Sequence, residues 1–238
     1  MAMDTVPGLL SRDRRESTPA VSFPAIDREM SYHDFITTAY KSGNVLRYLG
    51  VGSGATVAIE PELRPEPLLA FFGAAQLGAV ATFETDRKHR RVLLTNVEHE
   101  ATVTVEPGTR LAVYGGPPTK PATTHWEKEV WSENPGFPPS TVTPETPVLL
   151  AGETTYTHAD LMEMAQQTVS VLSLSAGERL GIHPALSKPE TIGRGLIGAL
   201  SVGATAVFTD EPIADAYLVD ETNGTVDIET DRVYTITE

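Results

Sequence analysis

Apolar residues recur at helical spacing in two long stretches of this chain. In the first stretch the apolar positions on one helical face are Phe35, Ala39, Leu46 and Leu49. Ser31 and Asp34 precede them with the spacing of a capping box, in which the acidic residue also favours the positive end of the helix dipole. Gly50 follows, and glycine is the residue that best tolerates the left-handed conformation of a helix end. The pattern predicts an amphipathic helix between Ser31 and Gly50.

The second stretch repeats this pattern with Thr157 and Asp160 at the helix start and Leu161, Ala165, Thr168 and Leu172 on one face. A glycine-containing turn and a short apolar run with strand character follow each helix, at 56–60 and 179–183. A second apolar helix and a further strand, AVATF or TAVF, complete each copy. Strand, helix and strand in this order predict a right-handed parallel crossover.

The spacing between the two copies indicates an internal repeat. The pairs that lie 125 residues apart are Gly73 and Gly198, Gly78 and Gly203, and Phe83 and Phe208; Gly54 and Gly177 lie 123 apart. Two inserted residues reconcile the two spacings. We therefore predict an α/β fold with two pseudo-symmetric lobes, whose mostly parallel sheets are flanked by helices. The first lobe covers 1–146, and the second covers 147–238 with a C-terminal β tail around an Asn223–Gly224 turn, in one compact two-lobed unit.

Composition limits the chemistry that the chain can carry. It has 238 residues with 40% hydrophobic content, enough for a substantial core. No apolar run approaches the roughly 18–20 residues of a membrane span, and no signal-peptide core is present, so we expect a soluble, cytoplasmic protein. The chain contains no Cys, and its six His form no metal-binding motif. We therefore expect no metal site.

The net charge of −14 is the strongest compositional signal. Such a chain repels nucleic acid, which binds positively charged surfaces. The acidic balance, with few Lys among the basic residues, resembles proteins of salt-loving archaea, and an ordinary acidic cytosolic protein is the alternative.

Two longer segments carry a family resemblance. The residues SYHDFITTAYKSGNVLRYLGVGSGATVAI, followed by FFGAAQLGAVATF, resemble the N-terminal part of the adenylate-forming superfamily, which includes the acyl-CoA synthetases. HWEKEVWSENPGFPPSTVTPETPVLL at 125–150 is similar to the family segment that runs through a Trp-containing helix into a buried strand. The resemblance extends to about residue 211 and implies the N-terminal fold of those enzymes.

The chain departs from the family directly after this strand. The family places a Ser/Thr- and Gly-rich phosphate loop there, whereas this chain continues with Ala151, Gly152, Glu153, Thr154 and Thr155. Gly152, Thr154 and Thr155 are weak candidates for remnants of that loop, and turn residues before the helix are the alternative. The carboxylate of Glu153 would repel a triphosphate. We therefore expect that the phosphate loop of the family is deleted in this chain.

The resemblance implies two functional classes. The adenine-contacting, ribose-binding and lysine-bearing elements of the family follow the region matching 201–211, and this chain ends 27 residues after Glu211. We expect no catalytic residues and no cofactor, and hence a non-catalytic relative that binds a small ligand or a protein. The alternative is a component of an acyl-adenylating or CoA-ligase enzyme, of the AMP-forming acid–thiol ligase type, completed by another chain and using ATP or AMP, Mg²⁺ and CoA. A different α/β enzyme with an unrecognised site is a third class.

Several single residues have both a functional and a structural interpretation. His183, which follows a predicted strand, matches a region that borders the acyl pocket in the family, and a solvent-facing His beside a Pro turn is the alternative. His158 is expected in the first helical turn. Both Trp126 and Trp131 are expected to be packing anchors. The basic cluster of Arg87, Lys88, Arg90 and Arg91 is expected on a solvated helix face rather than at an anion site. Gly115 to Pro118 form a loop.

The lobes of the full-length relatives are covered by further domains. Without such cover, the apolar surface of a two-lobed core would be exposed. We therefore expect a two-fold homodimer, or a protein partner, and neither a nucleic acid nor a membrane.

The charge predicts a salt-dependent stability. The Debye length grows from roughly 3 Å at 1 M salt to 30 Å at 0.01 M, so self-repulsion of a chain with net charge −14 increases when salt is removed. Thermal melting should shift to markedly higher temperature between dilute buffer and molar KCl. A melting temperature that does not depend on salt would place the protein in the ordinary acidic class.

Overall fold

The chain folds into two compact units in a computed structural model that describes residues 3–136, 141–220 and 230–236. The first unit consists of Met1–Ile36 and His158–Glu238, and the second consists of Thr37–Thr157. Each unit contains one largely parallel sheet with helices packed against it. The mixed α/β class with mostly parallel sheets is therefore confirmed.

The second unit contains a seven-stranded sheet. Its elements are β3 (Thr56–Ile59), α2 (Pro65–Gln76), β4 (Val80–Thr82), β5 (Val92–Asn96), β6 (Arg110–Tyr114), β7 (Thr124–His125), α3 (Trp126–Ser132), β8 (Pro147–Ala151) and β9 (Thr154–Thr157), and helix α1 (Tyr32–Tyr48) enters it from the first unit. The strand order is β7-β6-β5-β3-β4-β8-β9, and the antiparallel pair in it is β8 with β9.

The first unit contains a six-stranded sheet in the described residues. Its elements are β1 (Pro19–Phe23), β2 (Arg28–Ser31), α4 (His158–Leu172), β10 (Arg179–Ile182), a π helix (Thr191–Ile197), α5 (Gly198–Val202), β11 (Thr205–Phe208), β12 (Ala216–Asp220) and β13 (Val233–Ile236). The strand order is β13-β12-β10-β11-β1-β2, with β1 and β2 antiparallel.

The two sheets follow the same order of neighbours. The run β12-β10-β11-β1-β2 of one sheet corresponds to β5-β3-β4-β8-β9 of the other. The turns also correspond: the Gly54 N–H donates to the Gly78 carbonyl at 2.8 Å, and the Gly177 N–H donates to the Gly203 carbonyl at 2.9 Å. All four glycines have positive φ, between 65° and 83°. The glycines of the sequence pattern thus lie in equivalent turns, because each position requires a left-handed backbone.

The predicted helix starts and buried faces are present. The Ser31 Oγ accepts the Asp34 N–H at 3.1 Å and donates to its carboxylate at 2.9 Å, which is the capping arrangement that the spacing predicted. The apolar stripes of α1 and α4 are buried: Phe35, Ala39, Leu46 and Leu49 in α1, and Leu161, Ala165, Thr168 and Leu172 in α4.

The boundaries of the two units differ from the predicted lobes at 1–146 and 147–238. The segment before Thr37 belongs with the residues after Thr157, because β1 pairs with β11 in parallel. Strand β8 belongs to the other sheet, because it pairs with β4. Each hairpin therefore extends the sheet built by the strands of the opposite repeat.

The predicted C-terminal β tail is described in part, as strands β12 and β13. Strands β12 and β13 are parallel neighbours, with Tyr217 opposite Val233. Parallel strands cannot be joined by a two-residue turn. The Asn223–Gly224 turn itself lies outside the described residues.

Helices α1 and α2 approach each other closely at two glycines. A Cβ placed on Gly73 of α2 would lie 2.8 Å from the Gly43 backbone nitrogen of α1 and 3.0 Å from the Ser42 carbonyl carbon. These are backbone atoms, so a side-chain rotation cannot remove the overlap. The packing of α1 on α2 therefore requires glycine at position 73.

We predict that Gly73→Ala lowers the free energy of unfolding by about 1–3 kcal/mol, the usual cost of overpacking a filled interior. Gly52→Ala is the control, since a Cβ at Gly52 meets no atom within 4 Å, and it should change stability by no more than about 0.5 kcal/mol. Urea unfolding of both variants measures the difference. Equal stability of the two variants would contradict the predicted close approach.

Candidate functional site

The turn between β8 and β9 occupies the place of the expected phosphate loop. Only Gly152 and Glu153 separate the two strands. Gly152 adopts φ 57°, and its N–H donates to the Glu84 carboxylate at 2.5 Å. Arg87 donates to the Gly152 carbonyl at 3.1 Å, and its guanidinium also lies 3.5 Å from the Glu153 carboxylate. Both backbone polar groups of Gly152 are therefore already hydrogen-bonded to side chains.

The two threonines of this region belong to the strand after the turn. Thr154 pairs with Ala151 and Thr155 with Leu150 across the hairpin, and both threonines are exposed. The three candidates Gly152, Thr154 and Thr155 thus lie together in one hairpin. Two carboxylates and one guanidinium surround the turn, which leaves a negative balance where a phosphate would need a positive one.

The basic cluster does not lie on a helix. Residues 84–91 form consecutive turns between β4 and β5. Arg90 is only 7% exposed and donates to the carbonyl oxygens of Arg87 and Thr104, while Arg91 donates to the Gly50 carbonyl. The expected solvated helix face is wrong, because two of these cations hydrogen-bond to loop carbonyl oxygens.

His183 lies at the end of β10 in the first unit. Its N–H donates to the Leu218 carbonyl at 3.1 Å, and its ring packs edge-on against Tyr217 at 5.6 Å. The residue is 9% exposed, so the alternative of a solvent-facing His is wrong. Desolvation lowers the pKa of His183, since burial disfavours the charged imidazole. Lys188 and Asp220 form an ion pair in the same unit.

A polar cluster that the sequence analysis missed lies at the carboxyl ends of β3 and β5. In this sheet the chain places β4 on one side of β3 and then returns to place β5 on the other, so the strand order reverses between β3 and β5. Ligands of open α/β sheets bind outside the carboxyl ends of strands at such a reversal. Three groups there offer ligand atoms within 4.8 Å of one another, namely Glu60, Glu62 and His99.

Hydrogen bonds from the end of β5 hold both carboxylates in place. One oxygen of Glu60 accepts the Asn96 N–H at 2.7 Å and the Thr95 hydroxyl, and the other lies 2.6 Å from His99 Nδ1. Both oxygens of Glu62 lie 3.1 Å from Asn96 Nδ2. The end of β5 therefore orients both carboxylates through hydrogen bonds.

Tyr114, at the end of the neighbouring strand β6, lies beneath this cluster. Its side chain is fully buried. Burial raises the pKa of the Tyr114 hydroxyl, and the nearby carboxylates of Glu62 and Glu60 raise it further. The hydroxyl therefore stays protonated and presents a neutral O–H beside two carboxylates.

Sequence patterns could not have found this cluster by a motif. His99 lies 37 residues after Glu62, in a short 3₁₀ turn (Val97–His99) behind β5. The available signal was the position of Glu60 and Asn96, each at the end of an apolar run. Carboxyl ends of adjacent parallel strands meet at one edge of the sheet.

The two tryptophans differ in their surroundings. Trp126 is 1% exposed and packs in the core, as predicted. Trp131 is 84% exposed, so it is not a packing anchor; the Lys41 ammonium lies 5.8 Å from its ring centre.

Gly115 to Pro118 form a loop, as predicted, and Pro117 and Pro118 help to line an open cleft of about 570 Å³ beside the exposed Tyr48.

Solved structures with the same fold include CoA ligases and a fatty acyl-CoA synthetase. The anthranilate CoA ligase AuaEII in complex with anthranoyl-AMP superposes with a TM-score of 0.79 at 22% identity, covering 93% of this chain and 52% of the ligase. A benzoate CoA ligase from Burkholderia xenovorans gives 0.76 at 18% identity, covering 92% and 50%. A Mycobacterium tuberculosis fatty acyl-CoA synthetase gives 0.73 at 18% identity, again covering 92% and 50%.

These similarities define the fold. The chain has the N-terminal fold of the adenylate-forming enzymes and spans about half the length of the solved structures it matches. The sequence matches no protein-family model and no curated protein. Among the described residues, no helix is both long enough and apolar enough to cross a membrane.

His158 has a structural role at the start of α4. It is fully buried, and its Nδ1 accepts the Val6 N–H at 3.3 Å, within the first unit. Desolvation lowers the pKa of His158 to about 4, because burial disfavours the charged ring. The neutral ring therefore anchors the N-terminal segment to α4.

We predict that this His makes folding sensitive to acid. The folded-state pKa of about 4 lies below the ordinary value of 6.5, so the stabilisation is complete above pH 6.5 and is lost as the pH falls through 4. The loss should be on the order of 3 kcal/mol relative to His158→Gln, which keeps an acceptor but does not titrate. Urea unfolding between pH 7 and 4 measures it. A pH profile of His158→Gln equal to that of the wild type would contradict the assignment.

Proposed function

We propose that this chain is a non-catalytic relative of the AMP-forming acyl-CoA synthetases that acts as a binding module for a small ligand or a protein. The observation that carries the proposal is the two-residue turn of Gly152 and Glu153 after β8. An adenylating enzyme must hold the phosphates of ATP with free amide and hydroxyl donors. Here the Gly152 amide is already used by Glu84.

Electrostatics support the same proposal. The Glu84 carboxylate approaches the turn from the end of β4, and Glu153 projects from the turn itself with its side chain 95% exposed. Arg87 is shared between these two carboxylates. A triphosphate brought to this turn would meet two negative groups and one cation that is already paired, so binding would be repelled at short range.

A component of an acyl-adenylating or CoA-ligase enzyme is the second candidate. The observation that favours it is that this chain corresponds to about half of each solved ligase while being covered almost completely itself. In that case another chain would supply the groups that bind ATP or AMP with Mg²⁺ and CoA. The reaction would then be of the AMP-forming acid–thiol ligase type.

The proposed function also concerns the compartment, the salt concentration and the assembly state of the protein. We expect a cytoplasmic protein adapted to high salt, and a homodimer or a complex with a protein partner. Light scattering in molar KCl that gives twice the 25.6 kDa mass of the chain would support the homodimer, whereas the monomer mass would exclude it.

We predict that the purified chain catalyses no pyrophosphate exchange with ATP, Mg²⁺ and a panel of aryl and fatty acids, because the phosphates have no binding loop. Equilibrium dialysis with labelled ATP should likewise show no saturable binding. A full-length acyl-CoA synthetase is the positive control for both assays.

A double variant tests whether the β8–β9 turn prevents ATP binding. Glu84→Ala with Glu153→Ala removes both carboxylates and releases the Gly152 amide, so this variant should retain more ATP than the wild-type chain. Acyl-dependent exchange by the wild-type chain alone would overturn the non-catalytic proposal. Saturable ATP binding without exchange would favour the enzyme component completed by another chain.

A further inference from the structure

We propose that Glu60, Glu62 and His99 form a binding site for a divalent cation of the zinc and manganese class, at the carboxyl ends of β3 and β5. Two carboxylates and one imidazole are ligands that Zn²⁺ and Mn²⁺ accept, whereas Mg²⁺ and Ca²⁺ prefer oxygen ligands alone. The three groups come from one edge of a single sheet within the second unit. The site is separate from the turn of Gly152.

The geometry is close to that of a bound ion. Ligand atoms 2.0–2.2 Å from a tetrahedral Zn²⁺ are about 3.3–3.6 Å apart. The three ligand atoms here lie within 4.8 Å of one another, and the shortest contact, Glu60 to His99 Nδ1, is 2.6 Å. Changes of about 1 Å, which side-chain rotation provides, would bring all three to coordination distance. The cation would replace the direct contact between Glu60 and His99.

Partner groups from β5 orient the ligands. The Asn96 backbone N–H and the Thr95 hydroxyl bind the Glu60 oxygen that faces away from His99, and Asn96 Nδ2 binds Glu62. Outer groups of this kind fix ligand orientation in metal sites. Asn96 in turn is fixed, because its side-chain oxygen accepts the Glu98 N–H at the start of the 3₁₀ turn that carries His99.

A buried hydroxyl with an incomplete hydrogen bond lies against the cluster. The Tyr114 side chain is fully buried, and its hydroxyl interacts with the Glu62 carboxylate without a hydrogen bond of normal geometry. A buried polar group without a well-formed hydrogen bond calls for an explanation. A water molecule bound to the cation would accept this hydrogen bond and fill the fourth coordination position.

The position in the fold adds to the argument. The cluster lies where the strand order reverses, between β3 and β5, which is the place where open α/β sheets bind ligands. Two carboxylates at this distance repel each other, and a divalent cation would relieve that repulsion.

Isothermal titration of the full chain, stripped of metal with a chelator, tests the proposal with ZnCl₂, MnCl₂ and MgCl₂ as the probes. We expect one saturable Zn²⁺ site per chain, weaker Mn²⁺ binding and no Mg²⁺ binding. His99→Ala and Glu62→Gln each remove a ligand and should abolish the site. Asn96→Ala removes an orienting group and should weaken binding about 10–100-fold.

His33→Ala is the matched control, because His33 also lies next to a carboxylate, 3.2 Å from Asp34, but in the first unit and in no group of three ligands among the described residues. It should bind Zn²⁺ as the wild type does. Circular dichroism of each variant confirms folding, and the conservative Glu62→Gln keeps the test valid if His99→Ala unfolds. A wild-type chain without saturable Zn²⁺ binding at micromolar concentrations, or unchanged binding in a folded Glu62→Gln variant, would overturn the proposal.

Discussion

The contact between Glu84 and the β8–β9 turn depends on the parallel pairing of β4 with β8. This pairing aligns Ala81 with Leu149 and Thr82 with Leu150, so the two strands end side by side. Glu84, two residues beyond β4, thereby reaches the Gly152 amide. The chain then reverses within two residues into β9, at the position where the family resemblance predicts a phosphate loop. The turn therefore presents a hydrogen-bonded amide and two carboxylates at this edge of the sheet.

Local patterns predicted most of the helices and the left-handed glycines. The stripes of α1 and α4, the Ser31 cap and the paired turns of Gly54 and Gly177 follow from interactions between residues close in sequence. The exchange of hairpins between the two sheets did not follow, because the pairing of β1 with β11 joins residues about 185 apart. For the same reason Arg90 looked like a surface residue: the carbonyl that it contacts at Thr104 lies on a different loop. The family resemblance supplied the architecture, but local patterns alone could not assign the strand neighbours.

Local sequence patterns also could not predict the polar cluster of Glu60, Glu62 and His99. Glu60 and His183 stand 123 residues apart at equivalent strand ends, each beside a reversal of strand order. One strand end carries a carboxylate that faces a second carboxylate and an imidazole, and the other carries a buried imidazole against Tyr217. Equivalent backbone positions therefore hold different chemistry in the two units. A motif search could not predict the first cluster, since its residues meet through the order of the strands and not through their spacing.

The amide of Gly152 gives the most direct test of the claim that the β8–β9 turn replaces a phosphate site. Its nitrogen and proton chemical shifts can be followed by heteronuclear NMR while ATP and Mg²⁺ are added to the labelled chain. Because the amide is already bonded to Glu84, we predict that its resonance stays in place throughout the titration. A saturable shift of the Gly152 resonance, with neighbouring amides of the turn moving at the same ATP concentration, would contradict the account.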